Sequence, residues 1–155
     1  MITFLNGTLV EALPTQAVVD VNGVGYEALI PLSSFERLPE PGRPVRLLTH
    51  LTIREDSHTL YGFISGEERE LFRLIQGVSG IGPRLALNVL SGMSVVAFKA
   101  AVAQGDIKAL SRTQGVGKKT AERMVVELRD KVAPAEVWEA GSDGRGLSPE
   151  EQRIN

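Results

Sequence analysis

Two short glycine-containing segments carry the residues best suited to bind an anion. Gly80-Ile81-Gly82 and Gly115-Val116-Gly117 lie 35 residues apart, and each stands between two apolar stretches of helical period. Glycine permits backbone angles that a Cβ forbids, so both glycines of each segment are expected to shape a tight turn. Backbone amides near the second glycine would then face outward at the start of the next helix, where free N–H groups and the helix dipole attract anions.

The residues around these two glycine turns fit the same chemistry. Ile81 and Val116 are expected to plug each turn into its helix pair, while Arg84, Lys118 and Lys119 fall in the first turn of the following helices. A cation there opposes the helix dipole, so its position favours an external anion. A single Gly-x-Gly could be a plain helical hairpin. Two matched copies instead indicate helix-hairpin-helix motifs, which hold a DNA phosphate without reading a base.

Nucleotide-binding motifs and metal sites are not supported. A P-loop needs a glycine at position 112, which is Arg, and Ser or Thr at position 119, which is Lys. Leu85 and Thr120 stand where a Rossmann fingerprint needs its third glycine. With no cysteine and only two histidines, the chain offers no thiolate or His-rich metal site. We therefore predict no ATPase activity, no metal and no cofactor.

The elements that must position these turns fall into two parts, so the predicted fold class is α+β. Residues 1–64 read as about five short strands, with a type I′ turn at Asn22-Gly23 and a serine-capped helical turn around Ser33, which suggests an OB-fold barrel. Residues 65–132 read as helices, beginning with a Ser65–Glu68 capping box. Residues 133–155 read as a flexible acidic linker.

Charge is segregated along the chain although the net charge is only −2. Residues 65–131 carry eleven Lys and Arg against seven Asp and Glu, a net charge of +4, and the segments on either side each carry −3. A basic middle part is a modest pointer to a polyanion. No signal peptide or membrane-spanning apolar stretch is evident, so the expected location is the cytoplasm, with no membrane partner.

Residues 1–132 together resemble the RuvA family. The opening hairpin of the family is similar to Val21-Asn22-Gly23-Val24-Gly25-Tyr26. Its acidic turn and the end of its barrel are similar to Arg54-Glu55-Asp56 and Leu60-Tyr61-Gly62-Phe63. Its two glycine turns are similar to Gly77-Val78-Ser79-Gly80-Ile81-Gly82-Pro83 and Gly115-Val116-Gly117-Lys118-Lys119-Thr120-Ala121-Glu122-Arg123. The resemblance implies a homotetramer, or an octamer of two tetramers, that seats a four-way DNA junction. It also implies a partner, the hexameric RuvB ATPase.

The resemblance further implies roles for particular residues. Glu55 and Asp56 would form an acidic pin at the junction centre, flanked by Arg54 as a DNA contact, and Arg123 would join the phosphate-binding residues. Family members carry a third helical domain after a flexible linker, and it docks on the motor. The sequence stops at Asn155, so the expectation is that this domain is absent here, which leaves recruitment of the motor open.

Three alternatives remain at this stage. Glu55 and Asp56 could be an ordinary solvated turn or a nuclease metal pair, although no third acid is near in sequence. A helix-hairpin-helix glycosylase would need a catalytic Asp or Lys beside a base pocket, but Asp130 and Lys131 have no aromatic pocket after them, and Trp138 falls in the linker. A single-strand binder would use aromatic side chains on the barrel, and aromatic content is only 5%.

Overall fold

Five strands close into a barrel in the order β1-β2-β3-β5-β4. The structure is a computed structural model that describes residues 1–132; the predicted linker lies outside the described residues. The strands are β1 Phe4–Leu13, β2 Gln16–Val21, β3 Val24–Leu29, β4 Pro44–Arg54 and β5 Ser57–Phe63, and a short helix, α1 Leu32–Phe35, links β3 to β4. Only β3 and β5 pair in parallel. The OB-like barrel predicted from the sequence is confirmed.

Alternating side chains fill the barrel and turn residues set its register. Leu9, Val19 and Leu47 are fully buried, because alternate residues of each strand face inward. At the β2–β3 turn, Asn22 and Gly23 have φ values of 54° and 93°, as the predicted type I′ turn requires. The side chain of Asp20 accepts a 2.7 Å hydrogen bond from the Gly23 amide and fixes this turn.

Within residues 1–132, five helices follow the barrel and share one buried core with the end of β5. They are α2 Gly66–Gln76, α3 Pro83–Gly92, α4 Val95–Gln104, α5 Ile107–Leu110 and α6 Lys118–Val132. The ring of Phe72 on α2 lies 5.1 Å from that of Tyr61 and 4.9 Å from that of Phe63, both on β5. These three rings belong to the same buried cluster as the helical core. The barrel and the helices are therefore packed against each other through apolar contacts.

The predicted serine cap on α1 is wrong. Pro31 is the N-cap residue and makes no side-chain cap, because the hydroxyls of Ser33 and Ser34 donate instead to the carboxylate of Glu68. Ser65 does cap α2, since its hydroxyl accepts from the Glu68 amide at 3.2 Å. The predicted capping box is only half formed, because the Glu68 carboxylate accepts from serine hydroxyls rather than from the amide of Ser65.

No single helix within residues 1–132 is both long and apolar enough to cross a membrane. Helices α3 and α4 reach that length and hydropathy only when they are taken together, and the chain bends by 102° between them.

Candidate nucleic-acid interface

The first glycine of each turn adopts a conformation that other residues rarely reach. Gly80 has a φ of 84° and Gly115 a φ of 94°, both in the left-handed region. A Cβ on Gly115 would also come within 2.9 Å of the Leu85 side chain. The two turns therefore share a backbone conformation, and the sequence prediction is confirmed for these two glycines.

The apolar residue in the middle of each turn is buried, as predicted. Ile81 is 6% exposed and Val116 is 4% exposed. The amide of Ile81 donates to the carbonyl of Val78 and the amide of Val116 donates to that of Thr113, each at 3.0 Å. Val78 and Thr113 are also 35 residues apart. The same hydrogen bond therefore closes both turns, at the offset that separates the two glycine segments in the sequence.

The second glycine of each turn has a different role from the one expected. Gly82 has extended backbone angles, φ −99° and ψ −178°, and neither Gly82 nor Gly117 has a positive φ. A Cβ at either position would meet no atom of the chain within 4 Å. Internal packing and backbone conformation thus do not require these two glycines. Both are exposed, so the space that they leave open faces outward.

Each second glycine stands directly before a helix. Its carbonyl accepts the first intrahelical hydrogen bond, from Ala86 to Gly82 at 3.1 Å and from Ala121 to Gly117 at 2.9 Å. Neither α3 nor α6 carries an acidic residue in its first turn. The positive end of each helix dipole is therefore not offset by a carboxylate of its own helix, which suits an external anion.

The three predicted cations lie where the sequence placed them. Arg84 is in the first turn of α3, Lys118 and Lys119 open α6, and all three side chains are exposed. Their positions beside the two glycine turns concentrate positive charge at the N-terminal ends of α3 and α6, where backbone amides lack intrahelical partners. The arrangement can hold phosphate groups at two places without any contact to a base.

Arg123 braces the first glycine turn from α6. Its guanidinium donates to the carbonyl of Ser79 at 3.2 Å, and the carboxylate of Glu127 accepts from the Ser79 amide at 3.2 Å. This links the helix of the second motif to the turn of the first, next to Gly80. Arg123 was expected among the phosphate-binding residues. Its hydrogen bond shows in addition a bracing contact that the sequence did not indicate.

Glu55 and Asp56 occupy the tip of the β4–β5 hairpin. Arg54 and Ser57 form the last pair of the ladder, so the two acids make a two-residue turn between them. All four side chains are exposed. Within residues 1–132, no group of three or more His, Asp or Glu side chains is arranged to hold a metal ion. The tip therefore presents two carboxylates to solvent on a protruding hairpin.

Basic side chains form a cluster where α2 packs on the barrel, and the sequence pattern does not predict it. Arg69 donates to the carbonyls of Thr3 at 2.8 Å and Thr49 at 3.4 Å, and Arg73 donates to the Nδ1 atom of His50 at 3.3 Å. Burial, and then the charges of Arg73 and Arg69, lower the pKa of His50. These contacts fasten α2 to the middle of β4 and to Thr3, the residue before β1. Helical period alone gives no sign of them, because they depend on how the barrel meets the helices.

Two family models match the two parts of the chain. The model described as the RuvA N-terminal domain matches residues 1–62. The model described as a SAM-like helix-hairpin-helix tandem matches residues 72–130. Together they cover both the barrel with its acidic tip and the two glycine turns.

Curated relatives match across both parts. A Holliday junction branch migration complex subunit RuvA from Chromobacterium violaceum is 56% identical over 133 residues, covering 86% of this chain and 68% of the relative. The protein of the same name from Stenotrophomonas maltophilia is 53% identical over 149 residues, covering 96% of this chain and 76% of the relative. The one from Opitutus terrae is 52% identical over 133 residues, covering 85% and 66%.

Proposed function

This chain belongs to the RuvA family of Holliday junction branch migration complex subunits, and from that premise we propose that it binds four-way DNA junctions and holds them open as a homotetramer. In this role it supports branch migration driven by the hexameric RuvB ATPase during recombination and repair. Its partners are then junction DNA, further copies of itself and the motor. The activity belongs in the cytoplasm, where bacterial DNA lies.

The observation that carries the proposal is the repeated glycine turn. Two turns 35 residues apart share a left-handed first glycine, a buried apolar plug and an exposed second glycine before a helix. Each offers backbone amides and a nearby cation, so each suits one stretch of phosphate backbone. Such contacts position a duplex arm and are indifferent to sequence, as a protein that moves a junction along DNA requires.

The acidic tip supplies the selectivity that phosphate contacts lack. Glu55 and Asp56 would repel phosphates, and the repulsion costs least at the open centre of a four-way junction. In a fourfold assembly four such tips would meet there and help base pairs to separate and re-form. Arg54, at the base of the tip, would contact the strands that pass beside it. We divide the chain accordingly into a barrel with the tip, residues 1–64, and a DNA-binding helical part, residues 65–132.

The chain is a DNA-binding subunit and not an enzyme. Its relatives are named as a subunit of a branch migration complex, not as a nuclease or glycosylase. Asp130 and Lys131, the residues that a glycosylase would need, are exposed at the end of α6. The nuclease and glycosylase alternatives predict a cut or an abasic product from labelled junction with magnesium, and the scaffold predicts neither.

A gel-shift comparison tests the proposed function. Four-way junction, linear duplex and single strand of the same sequences are titrated at several salt concentrations, because affinities of phosphate-binding proteins have meaning only at stated salt. We expect the junction to bind most tightly at every salt concentration. Equal affinity for junction and duplex, or a preference for single strand, would contradict the proposal.

The cations beside the second glycine turn provide a further prediction. Lys118→Ala with Lys119→Ala should weaken junction binding and flatten its salt dependence by roughly one unit of slope for each phosphate that the protein no longer neutralises. The control is Lys99→Ala with Lys131→Ala, which removes the same charge from α4 and from the far end of α6. A slope changed equally by both pairs would show that general charge, and not the turn, governs binding.

A further inference from the structure

An open cleft of about 210 Å³ lies between the barrel and the first helix-hairpin-helix motif. It is lined by residues of β3, β5 and the first turn of α3, namely Glu27, Leu29, His58, Thr59, Leu60 and Arg84. It therefore joins two features that the proposed function treats separately. Arg84 lies beside the first glycine turn, and His58 lies in the hairpin that carries the acidic tip.

The cleft opens because the parallel pairing of β3 and β5 is very short. The ladder consists of Ala28 with Leu60 and Leu29 with Tyr61, and it ends there. Towards the acidic tip, β5 continues in its pairing with β4, where His58 is opposite Ile53, while β3 continues with β2. The two strands thus separate at Glu27 and Thr59, and Arg84 closes the gap from the side of α3.

The lining is chemically mixed in a way that does not suit a phosphate. Arg84 would attract one, but the carboxylate of Glu27 in the same cleft would repel it. An acceptor at Glu27, a donor at Arg84 and the dual roles of His58 and Thr59 match a group with both donors and acceptors on its edge. The partly exposed Leu29 adds apolar surface for a flat face, while Leu60 is nearly buried beneath it.

A nucleobase has this combination of a polar edge and apolar faces. Carboxylates accept from the amino groups of bases, and His and Arg side chains stack on unpaired bases. The cleft is also smaller than the roughly 300–1,000 Å³ of pockets that hold drug-sized ligands, so it suits a single base. We propose that it binds one unpaired nucleobase released at the centre of the junction, an inference that rests on the proposed function.

The position of the cleft makes such a base available. It lies at the root of the hairpin whose acidic tip would keep the crossover open, and unpaired bases arise at that place. Moving an already unpaired base into a pocket costs much less than extracting one from a duplex. A base held there transiently would be kept from re-pairing with its former partner, which favours exchange of strands at the crossover.

Junctions that carry 2-aminopurine at a crossover position test the proposal, because emission from this base reports its stacking. Two substitutions change the cleft but leave its carboxylate and guanidinium in place: His58→Ala, which removes a stacking and hydrogen-bonding group, and Thr59→Trp, which fills the space. Both should shift the emission of the crossover base in the bound junction. Both should also lower junction affinity by roughly two- to tenfold, the value of one hydrogen bond, without lowering duplex affinity.

Glu27→Ala separates a base from a phosphate as the occupant, and Glu11→Ala, an exposed carboxylate on β1, is its control. For a base, only Glu27→Ala lowers the ratio of junction to duplex affinity. If Glu27→Ala instead tightens junction binding and steepens its salt dependence, the cleft holds a phosphate and the proposal is overturned. Unchanged emission in both His58→Ala and Thr59→Trp, with junction binding retained, overturns the proposed binding of a base in the cleft and leaves the proposed function standing. Failure of the unmodified chain to prefer a junction overturns the proposed function, and this inference with it.

Discussion

At the scale of single residues, the two glycines of each turn serve different ends. Gly80 and Gly115 are needed by the fold, because their positive φ is strained for any residue with a Cβ. Gly82 and Gly117 are not needed by the fold, since a Cβ there meets nothing in the chain. Under the proposed function, their small size would allow a DNA backbone to approach closely.

Substitution at the second glycines should therefore separate stability from binding. Gly82→Asp with Gly117→Asp places a favourable capping residue and a negative charge before each helix, so the free energy of unfolding should stay constant or rise by a few tenths of a kcal/mol. Junction affinity should fall about tenfold or more, because the added charge would lie where the proposed function places a phosphate. Urea denaturation and gel shift measure the two effects.

The matched control for these variants is Gly82→Asn with Gly117→Asn. Asn caps a helix about as well as Asp but carries no charge, so it should reduce junction affinity much less. Equal loss of affinity in the Asp and Asn variants would mean that bulk alone matters. Undiminished junction affinity in the Asp variant would remove the turns from the binding surface.

Neutralising the acidic tip should raise DNA affinity, whereas adding acids at the glycine turns should lower it. Glu55→Gln with Asp56→Asn should raise affinity for linear duplex by roughly three- to tenfold and raise junction affinity less, because the repulsion that excludes the wrong ligand is removed. Glu36→Gln with Glu40→Gln, two exposed acids elsewhere in the barrel part, should leave the ratio of the affinities unchanged. Weaker junction binding on neutralisation of the tip would point to a bound cation.

Residue types at the site were largely predictable, and their contacts were not. Ile81, Val116 and the exposed Arg84 follow from local pattern, because plug and first-turn positions are fixed by the turn itself. The bracing of Ser79 by Arg123 depends on α6 crossing the first turn, 44 residues away in sequence. The sequence also predicts a backbone conformation at Gly82 that a Cβ would forbid, and the structure does not show it. Sequence alone does not distinguish a glycine that needs a positive φ from one that does not.

At the scale of elements, a buried carboxylate joins the barrel to the helices. Glu68 on α2 is 4% exposed and accepts hydrogen bonds from Ser33, Ser34 and Ser65. On the other side of α1, the amide of Leu32 donates to the Ser91 hydroxyl on α3 at 3.1 Å. The short helix α1 thus fastens the barrel to both helices of the first motif, which fixes the acidic tip relative to the first glycine turn.

Removing this carboxylate should destabilise the fold. Glu68→Ala leaves the buried hydroxyl of Ser34 without its acceptor, so the free energy of unfolding should fall by about 2–3 kcal/mol. Glu70→Ala, an exposed acid on the same helix, should change it by less than about 1 kcal/mol. Urea denaturation compares the free energies of unfolding of the two variants. Similar decreases would show that the buried hydrogen bonds of Glu68 do not stabilise the fold more than an exposed carboxylate does.

The elements themselves were predictable to different degrees. The barrel strands follow from alternation and from turn signals such as Asn22-Gly23. The sequence suggested an ordinary apolar helix before the second glycine turn, but α5 has only four residues, from Ile107 to Leu110. Asp106 caps it and Leu110 is buried, so tertiary packing fixes a helix too short to be stable alone.

At the scale of the whole molecule, two glycine turns on one chain would contact phosphates at two places under the proposed function, but a junction has four arms. Closed fourfold symmetry would give each arm an equivalent set of turns and bring four acidic tips to the centre. Valines at positions 96 and 126 are each 78% exposed on α4 and α6, which leaves apolar helical surface for contacts between copies. The net charge of +4 in residues 65–131 is then repeated around the ring.

Native mass spectrometry of the chain mixed with a four-way junction tests the proposed fourfold assembly most directly, because it counts protein copies and DNA molecules in one complex. The proposal predicts four or eight copies on one junction, and a smaller bound fraction of linear duplex of the same arm sequence at equal protein concentration. One or two copies per junction, or equal bound fractions of junction and duplex, would contradict it.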